Sequence, residues 1–488
     1  MKKNTATLSS HKIDLLLLAF ILLVAVLFRL YKFNTPLADL HSWRQADTAA
    51  VARNFSRDGF NLLQPRYDDL SNIQSGIENP KGLRFVEFPI YNAVVGAFKK
   101  YVPLFSIEEY GRLTNIIFSL IIIAIIYYLA LREVGRVGAL IGALVYSIFP
   151  FFVFFSRVIL PETTALALAM LSIFFLYIYT SRKNKLAGTV FFIASMLSFT
   201  LSLLVKPPAV FFAFVLIYLF YKKYTYQLIT KIHFYIYFLL SFIPLVLWRY
   251  YISFYPEGVP ASDWLITSVN TYQGLQNIFF KPAFFRWIFF ERINNLILGG
   301  FAVFLVILGI VKKQKTWFLY SFLISTSAYL FTFQGGNVQH EYYQVFTLPT
   351  LALFAGAGAK TLIDNKSLFN PIISYILIFF IFIFSFYFSY YKVKDYYNYP
   401  KELPQIAKII NTLTTKNDKI VTDTLGDTTL LYLSDRKGAP AVYQGLDELK
   451  KKGYTYFYTA KGDVIEQIKK ETQFKVAFEN DKFTLFKL

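Results

Sequence analysis

Pro371–Tyr391 reads PIISYILIFFIFIFSFYFSYY, a run without a single charge. As a helix rising about 1.5 Å per residue it extends about 30 Å, the thickness of a bilayer's hydrocarbon core. Its apolar residues do not alternate with polar ones, which excludes a strand of a lumen-lined barrel. Leu15–Leu30, uncharged up to Arg29, and Leu296–Val311 are shorter, nearly uncharged runs of the same kind. At 56% hydrophobic and 19% aromatic over 488 residues, the chain is no ordinary soluble globule. Further spans are expected near 113–130, 138–153, 162–180, 186–205, 208–221, 234–251, 317–333 and 345–360. The fold class is a polytopic all-α membrane protein of about eleven transmembrane helices.

The net charge of +20 could point to nucleic acid, but its distribution argues against that. Lysines and arginines sit in short clusters between spans, as a topology signal does. With the N-terminus in the cytoplasm, alternate loops carry Arg132 and Arg136, then Arg182, Lys183 and Lys185, then Lys222, Lys223 and Lys231. Lys312, Lys313 and Lys315 follow, and then Lys360 and Lys366. The short loops on the other side carry little beyond Arg157 and Lys206. A multi-pass protein of the cytoplasmic (inner) membrane is expected, with the N-terminal run as an uncleaved signal anchor. Cysteine is absent, so no disulfide or thiolate metal site exists, and four scattered histidines give no metal motif of fixed spacing.

Two domains are expected: 1–391, including an outward loop 31–112, and a small extracytoplasmic α/β domain, 392–488. In the latter, helices are expected at 401–415, 427–433 and 463–472, and strands at 419–423, 454–458, 474–478 and 483–487. Segment 253–295 interleaves aromatics such as Phe279, Phe280, Phe284 and Trp287 with Lys281, Arg286 and Arg292. That pattern suits a helix lying at headgroup depth.

The topology puts Asp47, Glu87, Arg157, Glu162, Lys206, His340 and Glu341 on one side of the membrane, in separate loops or helix ends. Ionisable groups near lipid are costly unless they pair, reach water or serve a function. Asp47 lies in Arg44-Gln45-Ala46-Asp47-Thr48, directly after the first span. Glu87-Phe88-Pro89-Ile90-Tyr91 leads into a helix, and Ser156-Arg157-Val158-Ile159-Leu160-Pro161-Glu162 opens a span. Leu204-Val205-Lys206-Pro207-Pro208 closes another, and His340-Glu341-Tyr342-Tyr343 precedes Leu348-Pro349.

In order and on one face, these stretches resemble the membrane glycosyltransferases of the GT-C fold. The similarity is to the family-39-like branch related to protein O-mannosyltransferases and the aminoarabinose transferase, over roughly residues 10–360. Two positions depart from that family's pattern: Phe88 stands where it has lysine, and Glu162 where aspartate is commoner.

The resemblance implies transfer of a sugar from a polyprenyl-phosphate-linked donor to an acceptor hydroxyl on the extracytoplasmic face, with inversion. The phosphate is already a good leaving group, so the site needs one base and cations around the phosphate. Asp47 fits the base, with Glu162 as the second catalytic acid. Lys206, with Arg44, Arg157 or His340, fits the donor-phosphate cradle, and Glu87 and Tyr343 are further site candidates. A divalent metal is left open, as is the acceptor: glycolipid, polysaccharide or protein. Membrane lipids are the other partners, and nucleic acid is not one.

Plainer readings stand beside these. Asp47 and Arg44 suit an interfacial ion pair, Glu162 a helix-dipole complement, and Lys206 a snorkelling helix end. A transporter or flippase of polar, glycosylated lipids would share the spans and the cations, but would place charges at mid-membrane depth in matching halves. A polysaccharide polymerase or ligase would not need an acid right after the first span.

Overall fold

The computed structural model describes residues 2–182, 184–258, 281–471 and 473–488. The chain forms two compact units. The first comprises Met1–Phe33, Arg112–Trp248 and Trp264–Asp395; the second comprises Asn34–Gly111, Arg249–Asp263 and Tyr396–Leu488. Loop 34–111, grouped with the spans by its place in the sequence, thus shares a unit with the C-terminal segment.

In the first unit a helix stands at every expected span. Among the described residues seven helices are long and apolar enough to cross a membrane. Three expected spans depart from a single long helix. The run at 296–311 contains a bend of 119° between Pro282–Ile297 and Ala302–Val311. Gly299 and Gly300 hold left-handed φ values of 59° and 79°, and a Cβ at Gly299 would meet the Ser385 carbonyl at 2.0 Å. Ser385 Oγ then accepts from the Ala302 amide at 2.8 Å and so starts the second arm. Hydropathy sees one apolar run here and cannot see the turn. Helix Arg136–Ile148 likewise stops before Pro150, and Pro150–Phe155 follows as a short separate helix. Helix Phe318–Thr332 is apolar but shorter than a full span.

The Pro150 break frees carbonyls, and Arg29 satisfies them. Pro150 has no N–H to offer the Tyr146 carbonyl four residues back. The fully buried Arg29 guanidinium donates to the carbonyls of Tyr146 and Ser147, both at 2.9 Å, and to Ser156 Oγ at 2.7 Å. In lipid, helices associate through close packing and interhelical hydrogen bonds rather than hydrophobic burial. Helix Leu348–Asp364 supplies the close packing through Gly356 and Gly358. A Cβ there would meet the carbonyls of Gly138 at 2.2 Å and Leu305 at 1.8 Å. Hydrogen bonding comes from Tyr237, whose hydroxyl lies 2.9 Å from Ser172 Oγ and 2.7 Å from Ser195 Oγ.

Helix Pro282–Phe285 continues as a π-helix, Arg286–Ile297. It exposes Phe285, Trp287, Phe289 and Phe290 and buries Phe284 and Ile288. Phe279 and Phe280, expected on the same interfacial helix, lie outside the described residues.

The second unit is built on five strands: β1 (Lys419–Thr422), β2 (Lys437–Ala439), β3 (Tyr456–Thr459), β4 (Lys475–Glu479) and β5 (Thr484–Lys487). They run in the order β2-β1-β3-β5-β4, parallel among the first three and antiparallel thereafter. Strand alternation sends Ile420, Tyr458 and Leu485 to one face, where Leu430, Leu431 and Ile410 cover them. Val421, Phe457 and Phe486 turn to the other face, against Leu449 and Ile468. Sequence pattern misses only β2 and the short helix Leu446–Lys451. β2 is three residues long and begins on a charged one, so it offers little periodicity to read. Its outer edge is closed by loop backbone: Leu70 N donates to the Gly438 carbonyl at 2.7 Å and Gly438 N to the Asp68 carbonyl at 2.9 Å. Covering an edge strand in this way removes a template for unwanted pairing. It also explains why the loop and the C-terminal segment form one unit.

Candidate active site

In the second unit, helix Ser42–Asp58 carries Arg44, Asp47 and Arg53. The helix is polar yet buried along most of its length. Its alanines allow close neighbours, and Ala52 O sits 2.8 Å from where a Cβ on Gly96 would be. Asp47 is 1% exposed. Thr428 donates to its Oδ1 at 2.6 Å, and Arg84 Nη1 lies 3.1 Å from its Oδ2. Burial pushes the Asp47 carboxyl above its ordinary value, with Asp68 adding to the rise, while Arg84, the Thr428 hydrogen bond and Arg44 oppose it. Arg44 itself forms an ion pair with Glu87, so the family-type Glu87 stretch faces a guanidinium.

Around this pair lies a second tier. Arg53 donates to both Asp68 oxygens, at 2.6 and 2.5 Å, and stacks over the Tyr432 ring at 4.8 Å. Tyr432 OH in turn donates to Glu108 at 2.6 Å. Asp69 accepts from Ser71 N at 2.8 Å and Ser71 Oγ at 2.6 Å. Burial nevertheless raises its carboxyl to about 6. Arg84 and Thr428 were not singled out from the sequence. They stand far from Asp47 along the chain, within turn-rich and soluble-looking stretches, and no local spacing marks them.

In the first unit, Glu162 opens helix Glu162–Ser181 directly after Pro161, and Lys206 follows the end of helix Lys185–Val205. Lys206 Nζ lies 2.6 Å from Glu162 Oε1, with both side chains almost fully buried. The turn that presents Glu162 is fixed from below. Asn115 donates to the carbonyls of Val158 and Leu160 at 2.5 and 2.8 Å, and Thr163 Oγ1 to that of Phe155 at 3.0 Å. Arg157, on the same turn and fully buried, donates to the Lys32 carbonyl at 3.0 Å. His340 stacks on the rings of Tyr342 and Tyr343 at 5.2 and 6.2 Å. Tyr329 OH donates to the Tyr343 carbonyl at 2.8 Å. Glu341 pairs with Arg292, whose guanidinium also lies 5.2 Å over Trp287.

Apart from Arg157, which donates to the Lys32 carbonyl, the candidates fall into three groupings. Asp47, Arg44 and Glu87 share the second unit; Glu162 and Lys206 meet as an ion pair in the first; His340 and Tyr343 stack there. Among the described residues no group of three or more His, Cys, Asp or Glu side chains could hold a metal ion.

Comparison with known proteins bears on this arrangement. ArnT from Cupriavidus metallidurans, solved bound to undecaprenyl phosphate, superposes with a TM-score of 0.66 at 13% identity, over 96% of this chain and 97% of that one. The chain has the GT-C fold. The oligosaccharyltransferase of Archaeoglobus fulgidus, solved with Zn and sulfate, shares the GT-C fold at a TM-score of 0.63 and 11% identity, over 91% of this chain and 67% of that one. The archaeal oligosaccharyltransferase AglB from Archaeoglobus fulgidus, in complex with an inhibitory peptide and a dolichol-phosphate, matches at a TM-score of 0.60 and 10% identity, over 91% of this chain and 69% of that one. A family model described as dolichyl-phosphate-mannose-protein mannosyltransferase matches residues 105–250. No curated protein sequence matches the chain.

Proposed function

We propose that the chain is a glycosyltransferase that moves a sugar from a polyprenyl-phosphate-linked donor to an acceptor hydroxyl outside the cytoplasmic membrane, with Asp47 as general base. The observation that carries this reading is the setting of Asp47. A carboxylate in the dry interior of a polar helix, held by one hydroxyl and one guanidinium, is a stronger base than one in water. In the reaction the acceptor O–H proton passes to Asp47 as the acceptor oxygen attacks the anomeric carbon. The bond from that carbon to the carrier phosphate oxygen breaks, and its electron pair leaves with the phosphate. A single displacement from the opposite face inverts the anomeric centre.

The charge that builds on the phosphate needs cations. Lys206 carries its ammonium 2.6 Å from Glu162 Oε1, and Arg157 adds a buried guanidinium. Glu162 acts by orienting Lys206. Lipid-linked phosphates in the ArnT and AglB structures support a polyprenyl-phosphate carrier here.

The test is transfer from a synthetic polyprenyl-phosphate sugar by the purified full chain. Asp47→Asn keeps the Thr428 contact geometry and should lower turnover by about 10²–10⁴-fold. Carrier lipid retained in native mass spectrometry should be unchanged. Full turnover in the variant would remove Asp47 from the role of base.

A further inference from the structure

A cleft of about 680 Å³ opens in the second unit between the loop and the N-terminal ends of β1 and β2. Arg57, Arg66, Lys81, Lys416, Lys419 and Lys437 all line it. Four aspartates also line it, against eight lysines and arginines. Asp68 is held by Arg53, Asp435 by Arg53 at 3.1 Å and Arg57 at 2.6 Å, and Asp418 accepts from Thr415 N at 2.7 Å; Asp58 is the fourth. Lys419 and Lys437 are both half-buried and stand in register, as the first residues of the parallel pair β1 and β2. Among the described residues neither forms an ion pair. Two ammonium groups that begin neighbouring strands in register repel each other. Two such lysines at the floor of an open, cation-lined cleft are therefore best accounted for by an anion that binds between them.

The cleft's position limits what the anion belongs to. Arg53, on its wall, lies on the same helix as Asp47, six residues further on, about 9 Å along the helix axis. Thr428, which holds Asp47, follows β1 on the opposite end of that strand from Lys419. The offset of about 9 Å to Arg53 alone is more than one sugar ring spans, so a ligand that reaches Asp47 from this cleft is a chain of several sugars.

We propose that the cleft binds an extended anionic saccharide, carrying phosphate or carboxylate groups, as the acceptor of the transferase. The proposal rests on the transferase reading for the word acceptor, but the binding itself is measured without any transfer. Full-length protein in lipid nanodiscs would be titrated with three fluorescent probes: an oligo(glycerol phosphate), an oligogalacturonate and the neutral maltohexaose. Tighter binding of the first indicates a phosphate-bearing acceptor, and of the second a carboxylate-bearing one. Equal binding of maltohexaose overturns the proposal.

Lys419→Gln with Lys437→Gln should weaken the preferred anionic probe at least tenfold and flatten its salt dependence. The melting temperature should hold or rise, because the facing charges are gone. Lys451→Gln, on the short helix Leu446–Lys451 and outside the cleft, should bind as the unaltered protein does. Unchanged affinity in the double variant sinks the proposal. Carrier lipid seen by native mass spectrometry reports on the transferase reading separately, so either idea can fail alone.

Discussion

The buried pair of Lys206 and Glu162 gives the most exacting prediction, because its structural and chemical roles can be separated. At 2.6 Å and an effective dielectric constant of about 20, the two charges attract by about 6 kcal/mol before desolvation is counted. Removing both from water offsets most of that gain. Deleting one partner alone leaves an uncompensated buried charge, at a cost of about 3–5 kcal/mol. Lys206→Ala should therefore lower the thermal stability of the detergent-purified protein markedly. The double variant Lys206→Met with Glu162→Gln keeps the volume and removes both charges, and should recover most of the loss.

Function should not follow stability. If the Lys206 ammonium meets the carrier phosphate, both the single and the double variant lose bound polyprenyl phosphate in native mass spectrometry. A double variant that regains stability and also keeps the lipid would make the pair a structural tie only. Equal stability of the single and double variants would refute the electrostatic coupling itself.

Three further outcomes follow from the second unit and from the topology. Arg84 lowers the affinity of Asp47 for its proton, so Arg84→Met should move the acid limb of the pH–rate profile to higher pH. Turnover should return as the pH is raised, and an unmoved limb would mean Arg84 does not act on the base. Asp69 is raised by burial from 3.8 to about 6, so the folded state binds its proton more tightly than the unfolded state does. Stability is then lost as pH rises from about 4 to about 6, by about 3 kcal/mol if the shift is taken at face value. Asp69→Asn should raise the melting temperature at pH 8 and leave it nearly unchanged at pH 4, and equal effects at both would contradict a buried titrating carboxyl. In this cysteine-free chain, Asn61→Cys and Gln339→Cys should react with a membrane-impermeant maleimide on intact cells, and Lys313→Cys should not. The reverse pattern would invert the orientation on which an extracytoplasmic site depends.

What the sequence makes legible is set by the range of the interactions. Spans such as Pro371–Tyr391 are written in local composition, and every expected span corresponds to helix. The breaks within them are not, because Gly299-Gly300 becomes a turn only where Ser385 closes on it, and Arg29 shows no partner in local sequence for the carbonyls that Pro150 frees. The C-terminal elements show their alternation locally, apart from β2, whose pairing depends on β1 and on the loop. The same limit applies to the site. Asp47, Glu162 and Lys206 stand in short motifs that can be compared with a family, and the last two, which meet as an ion pair, stand at the start of one helix and just past the end of the next. Arg84 and Thr428 carry no such mark.

Thr428 alters how the C-terminal segment should be understood. Its hydroxyl comes from the connection after β1 and donates to the Asp47 carboxylate at 2.6 Å. A hydrogen bond to the charged form favours that form, so the protonation of Asp47 depends on a residue of the C-terminal segment. Arg53 reaches the Tyr432 carbonyl at 3.0 Å, which ties the same helix, six residues further on, to the short helix Thr429–Ser434 that covers the sheet. The loop closes the edge of β2 through Asp68 and Leu70, whose chain neighbour Asp69 belongs to the tier around Asp47. Loop, helix Ser42–Asp58 and sheet are therefore built as one unit. The bearing of the C-terminal segment on the protonation of Asp47 follows from these contacts.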